Sequence, residues 1–532
     1  MGRSYTLAAL CVVAWTLAGT AGHCCPAEPG VHEYMQPDGT VIKVVLRGDE
    51  NFHWFETPDG KPLVMDTKTR RLSRATSAPR PSAARPRKSA AKRTMPTTGT
   101  VQVPVILVNF NDRTTSYGTS DFDSLLFGTS GRTMRSYYSE VSRNTFTVTG
   151  AVAGWYTASQ GHDYYGENVG SDDKYPATLV VEAAKAADAA GFDFSPYDVD
   201  HNGYVDSLLV VHQGTGEEAS HVPGDIWSHQ WDLYSANYFG DGTGPVTTKS
   251  GVIVNAYAIM PEIYGGGLTT VGVFCHEFGH ILGLPDLYDY DDNTPTTHAS
   301  QGIGVWSLMA SGSWGGISSG GDCPTHPDAW CKAKLGWLTP TVQTTTVYGA
   351  SIPQNEGNAF AYKLWATGSS GPQYFLIENR QKTGFDQVLP GAGLCIWHVD
   401  DNQSTNNNEW YPGHTTSGHY HVALEQADGL WEMEQNIDWG DNGDPYPGST
   451  SNRLFNNTSV PDCKPYAGTD GLFSVRNISG SSSTMTADIV FGDPYVADGM
   501  VRGHGESDSY FLGNDIVNSD GTYQTKTLYA EA

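Results

Sequence analysis

Residues 271–290 read VGVFCHEFGHILGLPDLYDY, a stretch that contains the pattern His-Glu-x-x-His. His276 and His280 are four residues apart, so on a helix their imidazole rings project from the same face and can bind one metal ion. Neutral imidazole nitrogens suit Zn²⁺, which prefers tetrahedral coordination by nitrogen, sulfur and oxygen atoms. Glu277 lies beside the first histidine, where it can act as a general base without being a metal ligand. The spacing therefore predicts a zinc-binding helix.

The residues after His280 predict a sharp end to this helix. Gly283 tolerates a positive φ, and Pro285 prevents the helix from continuing. The chain can then turn back and present Asp286 as the third protein ligand, although Asp289 or a more distant acid could take that position instead. Three protein ligands leave a fourth position open, which is typical of a catalytic zinc site rather than a structural one.

The composition of the whole chain limits its partners. The 532 residues carry a net charge of −27 at pH 7, and only 17% of them are charged. A protein binds phosphate-rich polymers or anionic membranes by neutralising them with cations, so nucleic acid and membrane surfaces are excluded as main partners. The 61 Gly and 29 Pro residues favour a loop-rich globular protein of two or three compact units. We expect a monomer that acts on protein or peptide substrates.

The N-terminus has the three parts of a secretory signal peptide. Arg3 is followed by an apolar run at 7–18 and then by small residues up to Gly22. The run is too short to span a bilayer comfortably, and no other stretch reaches the length of about 18 apolar residues that a span needs. We therefore expect a signal peptide at 1–22 and an extracellular protein without a membrane span.

A basic linker separates a small N-terminal region from the acidic body of the chain. Residues 68–93 contain ten Lys and Arg residues and no acidic residue, and Pro, Ser and Ala make up most of the rest. This composition favours an exposed segment that is accessible to proteolytic processing. Its last dibasic pair is Lys92-Arg93, a candidate cleavage site. Upstream, 31–66 alternates short β-rich runs with Pro-Asp-Gly turns and predicts a meander of hairpins. Residues 23–93 are thus interpreted as a β-rich propeptide.

The body of the chain divides into a mixed part and a β-rich part. Three segments carry the clearest patterns, namely two buried strands and one Ala-rich helix, at 101–112, 205–211 and 179–190. Their strand–helix–strand order predicts an α/β catalytic domain at 94–340. A β-rich C-terminal part follows at 341–492, and 493–532 is a polar tail to which the sequence assigns no role.

A second metal site is suggested by oxygen-bearing side chains at alternate positions of one loop, namely Asp198, Asp200, Asn202 and Asp206. Gly203 stands where such a loop must bend, and hard oxygen ligands at this spacing suit Ca²⁺. The distant glutamate of an EF-hand is missing, so the prediction is a short structural calcium loop, with an ordinary acidic turn as the alternative. A weaker candidate of the same kind lies at 441–444.

An exported protein meets an oxidising environment, so we expect some of its cysteines to form disulfide bonds. The predicted disulfides are Cys323–Cys331 and Cys395–Cys463, and Cys275 is expected to be buried and free. The alternative is that all of these thiols are reduced.

The metal-binding stretch, followed by GVWSLMASGSWGG at 304–316, resembles the metzincin-type secreted metallopeptidases of the immune inhibitor A (M6) family. Further blocks that resemble the family lie at 135–156, 226–231, 326–338 and 374–400, and so does the sequence QPDGT…LRGDE…ETPDG of the N-terminal region. The resemblance implies a metzincin-like α/β catalytic domain with an active-site helix. It also implies the zinc ligands His276, His280 and Asp286, the base Glu277, and Met309 as a methionine beneath the metal site.

These observations predict a secreted zinc-dependent endopeptidase that is made as a zymogen, with structural Ca²⁺ as a second metal. Two alternatives come from other classes of protein. One is a calcium-dependent extracellular adhesion protein with a vestigial zinc site, against which the intact Glu277 argues. The other is a zinc amidase that acts on a non-peptide substrate, since substrate choice depends on the walls of the cleft.

Overall fold

A computed structural model of the chain describes residues 23–75 and 95–492, apart from short gaps, together with the backbone of four strands between 501 and 524. The gaps within the two long ranges are 51–52, 67–68, 170–171, 291–299, 369 and 415–417. The predicted signal peptide at 1–22 lies outside the described residues, and so does most of the basic linker, including Lys92 and Arg93. Both therefore stay predictions.

The N-terminal region is a five-stranded antiparallel meander whose strands pair in chain order. After a short strand β1 (His23–Cys24), its members are β2 (His32–Met35), β3 (Val41–Gly48), β4 (His53–Glu56), β5 (Pro62–Asp66) and β6 (Arg71–Arg74). Pro-Asp-Gly turns connect β2 to β3 and β4 to β5, which confirms the predicted hairpins. Phe55 and Leu63 pack in a small core that also includes Trp227 of the next unit.

A mixed sheet forms the centre of the molecule. Its strands are β7 (Gly99–Asn109), β8 (Phe146–Thr157), β11 (Leu208–Thr215), β12 (His229–Asp232), β15 (Ala256–Tyr264) and β16 (Gly267–Leu268). The strand order is β1-β12-β15-β11-β7-β8, with β16 added to β15. The strands β15, β11, β7 and β8 are parallel, whereas β12 is antiparallel to β15 and β1 is antiparallel to β12.

Helices cover this sheet. The described helices are α1 (Thr119–Phe127), α2 (Met134–Val141), α3 (His162–Gly166), α4 (Pro176–Ala189), α5 (Glu217–Ser220), α6 (Leu233–Tyr238), α7 (Val271–Ile281) and α8 (Ala329–Lys334), the last of which packs against strands of the C-terminal part instead. The strand predicted at 101–112 and the helix predicted at 179–190 are confirmed as β7 and α4. The strand predicted at 205–211 begins later, at Leu208, because the Asp206 amide is held in the preceding loop, where it donates to the Tyr197 carbonyl over 2.9 Å.

The two faces of β7 belong to two different cores because successive side chains of a strand point in opposite directions. Val105 and Leu107 pack in the core that contains α7. Ile106 and Val108 pack in the core that contains the alanine-rich face of α4. Both faces are covered, which explains why the strand reads as a continuous apolar run rather than as an alternating one.

The C-terminal part contains two further sheets. Their strands are β17 (Thr341–Val342), β18 (Val347–Pro353), β19 (Tyr362–Trp365), β20 (Gln373–Arg380), β21 (Gly393–Asp400), β22 (Val422–Leu424), β23 (Leu454–Phe455), β24 (Phe473–Arg476) and β25 (Thr484–Phe491). One sheet has the order β17-β19-β20-β21-β22 and the other the order β18-β25-β24-β23. The predicted β-rich character is confirmed.

The sheet that contains β20 and β21 is buried on both faces. Phe375 and Ile377 face the second C-terminal sheet, within one apolar core. Leu376 and Trp397 face the other way and join the core that contains α7. Packing is therefore continuous across the boundary predicted at 340/341.

Four small hairpin strands complete the body, namely β9 (Asn168–Val169), β10 (Asp172–Asp173), β13 (Val246–Thr247) and β14 (Ile253–Val254). In the tail, the described strands form an antiparallel meander of β26 (Val501–Arg502), β27 (Ser509–Leu512), β28 (Asp515–Asn518) and β29 (Tyr523–Gln524). Within the described ranges, no helix has the length and apolar character needed to cross a bilayer.

The structure contradicts both predicted disulfides. Cys323, Cys331, Cys395 and Cys463 are buried free thiols, and Cys275 is buried and free as predicted. Cys395 and Cys463 lie in different apolar cores, so their side chains do not meet. The Cys463 thiol donates instead to the Phe473 carbonyl over 3.1 Å, and the Cys323 thiol donates to the Phe385 carbonyl over 3.4 Å.

Candidate active site and metal centre

Helix α7 carries the His-Glu-x-x-His pattern and is buried along its whole length. It ends where the sequence predicts, because Gly283 adopts a φ of 95°. The Gly283 amide donates to the His280 carbonyl over 2.9 Å, and the Leu284 amide donates to the Gly279 carbonyl over 3.1 Å. These two bonds form a Schellman cap, which satisfies the last carbonyls of the helix and turns the chain back.

The turn brings Asp286 to the two histidines. Asp286 Oδ1 lies 3.1 Å from His276 Nε2 and 3.2 Å from His280 Nε2, and the two Nε2 atoms are 3.1 Å apart. On the other side of each ring, His276 Nδ1 donates to the Leu308 carbonyl over 2.8 Å and His280 Nδ1 donates to the Leu284 carbonyl over 2.9 Å. A carbonyl only accepts, so both Nδ1 atoms carry the proton and both Nε2 lone pairs face the carboxylate.

This arrangement fits a zinc ion. Tetrahedral ligands at zinc distances of about 2.0–2.1 Å lie roughly 3.3 Å from one another, close to the three separations found here. Three electron-rich acceptors at such short range repel each other unless a cation lies between them. The alternative ligand Asp289 lies outside this group, and its Oδ2 accepts from the Ser300 amide over 3.3 Å.

Glu277 lies on the same helix and is fully buried. Within the part of the chain that the structure describes, neither carboxylate oxygen makes a hydrogen bond of normal geometry. Burial raises the pKa of Glu277 well above its ordinary value, and the negative charges of Asp286, Glu50 and Glu218 raise it further, while the nearby Cys25 main chain lowers it slightly. The side chain is thus desolvated, and its surroundings favour uptake of a proton by the carboxylate.

Met309 packs directly against α7. A Cβ atom added at Gly279 would meet the Met309 sulfur at 2.6 Å, so the helix approaches this side chain as closely as a glycine allows. The Met309 carbonyl also accepts from the Leu287 amide over 2.8 Å, immediately after Asp286. Met309 is therefore in contact with the helix between the two histidines and holds the turn that presents Asp286.

The segment after β1 reaches this site, where the Cys25 main chain lies near Glu277. Trp227 Nε1 donates to the Cys25 carbonyl over 2.8 Å, and Trp314 Nε1 donates to the Pro26 carbonyl over 2.9 Å. The Cys25 thiol does not belong to the group of ligand atoms formed by the two histidines and Asp286. The buried acid Glu50, from the LRGDE block of the N-terminal region, is close enough for its charge to act on Glu277.

The predicted calcium loop is closed by its own amides. Asp198 accepts from the Asn202 and Gly203 amides, each over 2.9 Å, and Asp200 accepts from the Asn202 amide over 3.1 Å. Asp206 Oδ2 accepts from the Val199 amide over 3.1 Å. These bonds explain the loop without an ion, and calcium here stays a prediction.

Acidic groups at the weaker candidate do come together. Asp441 lies near Asp428 and Asp444 in one group and near Glu432 and Asp438 in another. Burial raises the pKa of Asp444 to about 8, although its Oδ2 accepts from Trp306 Nε1 over 2.8 Å.

A helix that presents two histidines and a glutamate beside a carboxylate, next to a mixed sheet, is the arrangement expected of a metallopeptidase catalytic domain. Residues 105–338 match the model of the family described as immune inhibitor A peptidase M6, catalytic domain.

Relatives carry corresponding names. The pre-pro-metalloprotease PrtV of Vibrio cholerae serotype O1 (strain M66-2) is 33% identical over 247 residues, which cover 41% of this chain and 26% of the relative. Immune inhibitor A of Bacillus thuringiensis subsp. alesti is 35% identical over 231 residues, which cover 38% of this chain and 32% of the relative. The chain thus spans about a quarter to a third of the length of these curated relatives.

Proposed function

We propose that the chain is a zinc-dependent endopeptidase of the metzincin type, acting on protein or peptide substrates as a monomer. The observation that supports this best is the group of His276 Nε2, His280 Nε2 and Asp286 Oδ1, with mutual distances of 3.1–3.2 Å. We propose these three residues as the zinc ligands. Their Nδ1 bonds to main-chain carbonyls support the role, because such bonds fix the ring orientation of metal-binding histidines.

The proposed mechanism assigns proton transfer to Glu277. When bound, zinc lowers the pKa of a coordinated water and polarises the carbonyl of the scissile peptide bond. Glu277 accepts a proton from the attacking water and passes it to the leaving amine nitrogen. Its buried setting favours this role, because a desolvated carboxylate is a stronger proton acceptor than one in water.

We also propose that residues 23–93 are a propeptide that covers the site until it is cleaved within the basic linker. The pairing of β1 with the sheet edge at β12 and the bonds to Cys25 and Pro26 support this role, because they keep an extended segment beside Glu277. The word "pre-pro" in the name of the Vibrio relative points the same way. The basic linker supplies the exposed dibasic sites that processing enzymes need.

Secretion and calcium binding complete the proposal. An extracellular location rests on the signal-peptide pattern at 1–22 and on the relative named as a pre-pro protein. A structural calcium ion is proposed for the loop that holds Asp198 and Asp206, since its oxygens have the alternate spacing that Ca²⁺ prefers.

A peptide-library digest with the purified full chain tests the proposed activity. We expect cleavage that stops on addition of 1,10-phenanthroline and returns with added Zn²⁺. The zinc-amidase alternative predicts that non-peptide amides are cleaved while the peptides stay uncleaved. The adhesion-protein alternative predicts no hydrolysis at all. Either result would contradict the endopeptidase.

A further inference from the structure

Arg380 is a fully buried residue at the end of β20, and it connects the β-rich part of the chain to the segment that carries Met309. Asp386 holds its guanidinium in a bidentate pair, in which Nε donates to Oδ2 and Nη2 to Oδ1, both over 2.7 Å. Two further bonds reach main-chain carbonyls: Nη1 donates to the Trp306 carbonyl over 3.0 Å, and Nη2 to the His326 carbonyl over 3.4 Å. Nη1 also donates to Glu378 Oε1 over 3.4 Å.

From these carbonyls a continuous series of bonds leads to the metal centre. The His326 amide donates to Asp386 Oδ1 over 2.8 Å, so Asp386 and Arg380 together fix the main chain on both sides of His326. The Leu308 amide donates to the His326 carbonyl over 3.3 Å. The Leu308 carbonyl in turn accepts from His276 Nδ1 over 2.8 Å. The position of that carbonyl therefore sets the direction in which His276 Nε2 points.

The charges of the pair persist inside the protein. Burial alone would raise the pKa of Asp386, but Arg380 and His326 hold it well below its ordinary value. Other charged groups surround the guanidinium, namely Glu378, Glu356 and Lys332. A buried ion pair loses so much hydration that it contributes little net stability compared with apolar residues of the same size. Its planar fork, by contrast, fixes the geometry of everything it bonds.

We propose that Arg380, held by Asp386, is a positioning residue for the metal centre. It fixes the main chain from Trp306 to Leu308 and through it the orientation of His276. The β-rich part of the chain thereby takes part in shaping the metal site, at a distance from any ligand. This inference rests on the proposed function, because it assigns Arg380 a role in a zinc site.

The substitution Arg380→Lys tests the role in the full chain. Lysine retains the buried positive charge but lacks the planar fork, so it loses the simultaneous bonds to Asp386 and both carbonyls. We expect zinc affinity, measured by competition with a chromogenic chelator, to fall by about 10-fold or more, as for other residues that orient metal ligands. The visible absorption of the Co²⁺-substituted protein should shift, and kcat should fall while KM stays nearly unchanged.

Arg453→Lys is the matched control. Arg453 Nη1 also donates to a main-chain carbonyl of the β-rich part, that of Ile478, without contacting the segment from Trp306 to His326. This variant should keep the zinc affinity and the Co²⁺ spectrum of the unchanged protein. Asp386→Asn is a second test variant, because it keeps the shape of the side chain and the acceptor for the His326 amide while removing the charge.

The outcomes separate the two proposals. An unchanged protein that neither binds zinc nor cleaves peptides contradicts the proposed function. If the unchanged protein does both and a folded Arg380→Lys variant has the same zinc affinity and Co²⁺ spectrum, the positioning role is wrong. If Arg380→Lys and Asp386→Asn both fail to fold, the pair is needed for folding rather than for positioning, and the inference is equally overturned.

Discussion

Glu277 is completely buried, yet among the described residues neither of its carboxylate oxygens has a hydrogen-bonding partner of normal geometry. A buried polar group without partners is costly and needs an explanation, and proton transfer to a substrate is one. The two histidines on the same helix differ from it, because each has its Nδ1 proton fixed by a carbonyl. The proposed metal ligands and the proposed proton-transfer residue of one helix thus differ in how their polar atoms are held.

Replacing Glu277 by Gln should abolish peptide hydrolysis while leaving folding and zinc content nearly intact. Glutamine has the same shape but cannot accept the proton, and general-base catalysis contributes about 10²–10⁴-fold to such reactions. Casein cleavage and metal analysis of the purified variant measure the two effects. Asp123→Asn, at an exposed acid of α1, is the control for loss of one charge. Cleavage of casein at the normal rate would refute the role of Glu277.

At the scale of elements, α7 depends on how closely its neighbours approach. A Cβ atom at Gly272 would lie 2.0 Å from the Ser313 carbonyl oxygen and 2.8 Å from the Gly321 Cα. The Gly272 amide also donates to the Gly321 carbonyl over 2.8 Å. The first turn of the helix is therefore fixed against main-chain atoms, which cannot move aside as the end of a side chain can.

Gly272→Ala should destabilise the protein by about 1–3 kcal/mol, the usual range for overpacking a rigid core. Alanine favours a helix over glycine by about 1 kcal/mol, so without the close contact the same change would stabilise α7. Urea denaturation gives the difference in the free energy of unfolding. Gly357→Ala, where no atom lies within 4 Å of the new Cβ, should have little effect. A gain in stability for Gly272→Ala would contradict the packing described here.

Local elements were predictable from the sequence, and long-range contacts were not. The break at Gly283 and the hairpins of the N-terminal region follow from turn chemistry, which acts over a few residues. The disulfide predictions failed because cysteine spacing carries no information about which core each thiol enters. Likewise, the bonds from Arg380 to Trp306 join residues 74 positions apart, and nothing in the local pattern marks them.

At the scale of the whole molecule, buried histidines make folding sensitive to acid. His212, within β11, is fully buried, and this burial lowers its pKa to about 4. The nearby His162 lowers the pKa further, whereas the Gln213 carbonyl and Asp225 oppose the shift. The unfolded chain takes up this proton near pH 6.5, so the stabilisation is complete above that pH and is lost as the pH falls toward 4.

Between pH 7 and pH 5 the protonation of His212 should cost about 2 kcal/mol of folding free energy. Urea denaturation at the two pH values measures the loss, and His212→Gln removes the titrating group. We expect the variant to lose less stability on acidification than the unchanged protein, whatever its stability at pH 7. Equal losses in the two proteins would show that His212 is not responsible.

The proposed maturation would involve the molecule as a whole, because β1 of the proposed propeptide pairs with the sheet edge at β12. Replacing Lys92 and Arg93 by alanine should slow conversion to a shorter form, because processing enzymes of the trypsin type need the basic residue. Gel electrophoresis of secreted protein over time follows the conversion. Processing at an unchanged rate would move the cleavage site elsewhere in 68–93.

The sheet formed by β20 and β21 is covered on both faces, and one face completes the core around α7. Truncating the protein to the segment that matches the peptidase family, 105–338, would remove Leu376 and Trp397 from the apolar core that contains α7. The apolar surface exposed by this truncation would then favour aggregation over activity. Recombinant work on the catalytic unit should accordingly keep the chain at least through residue 492.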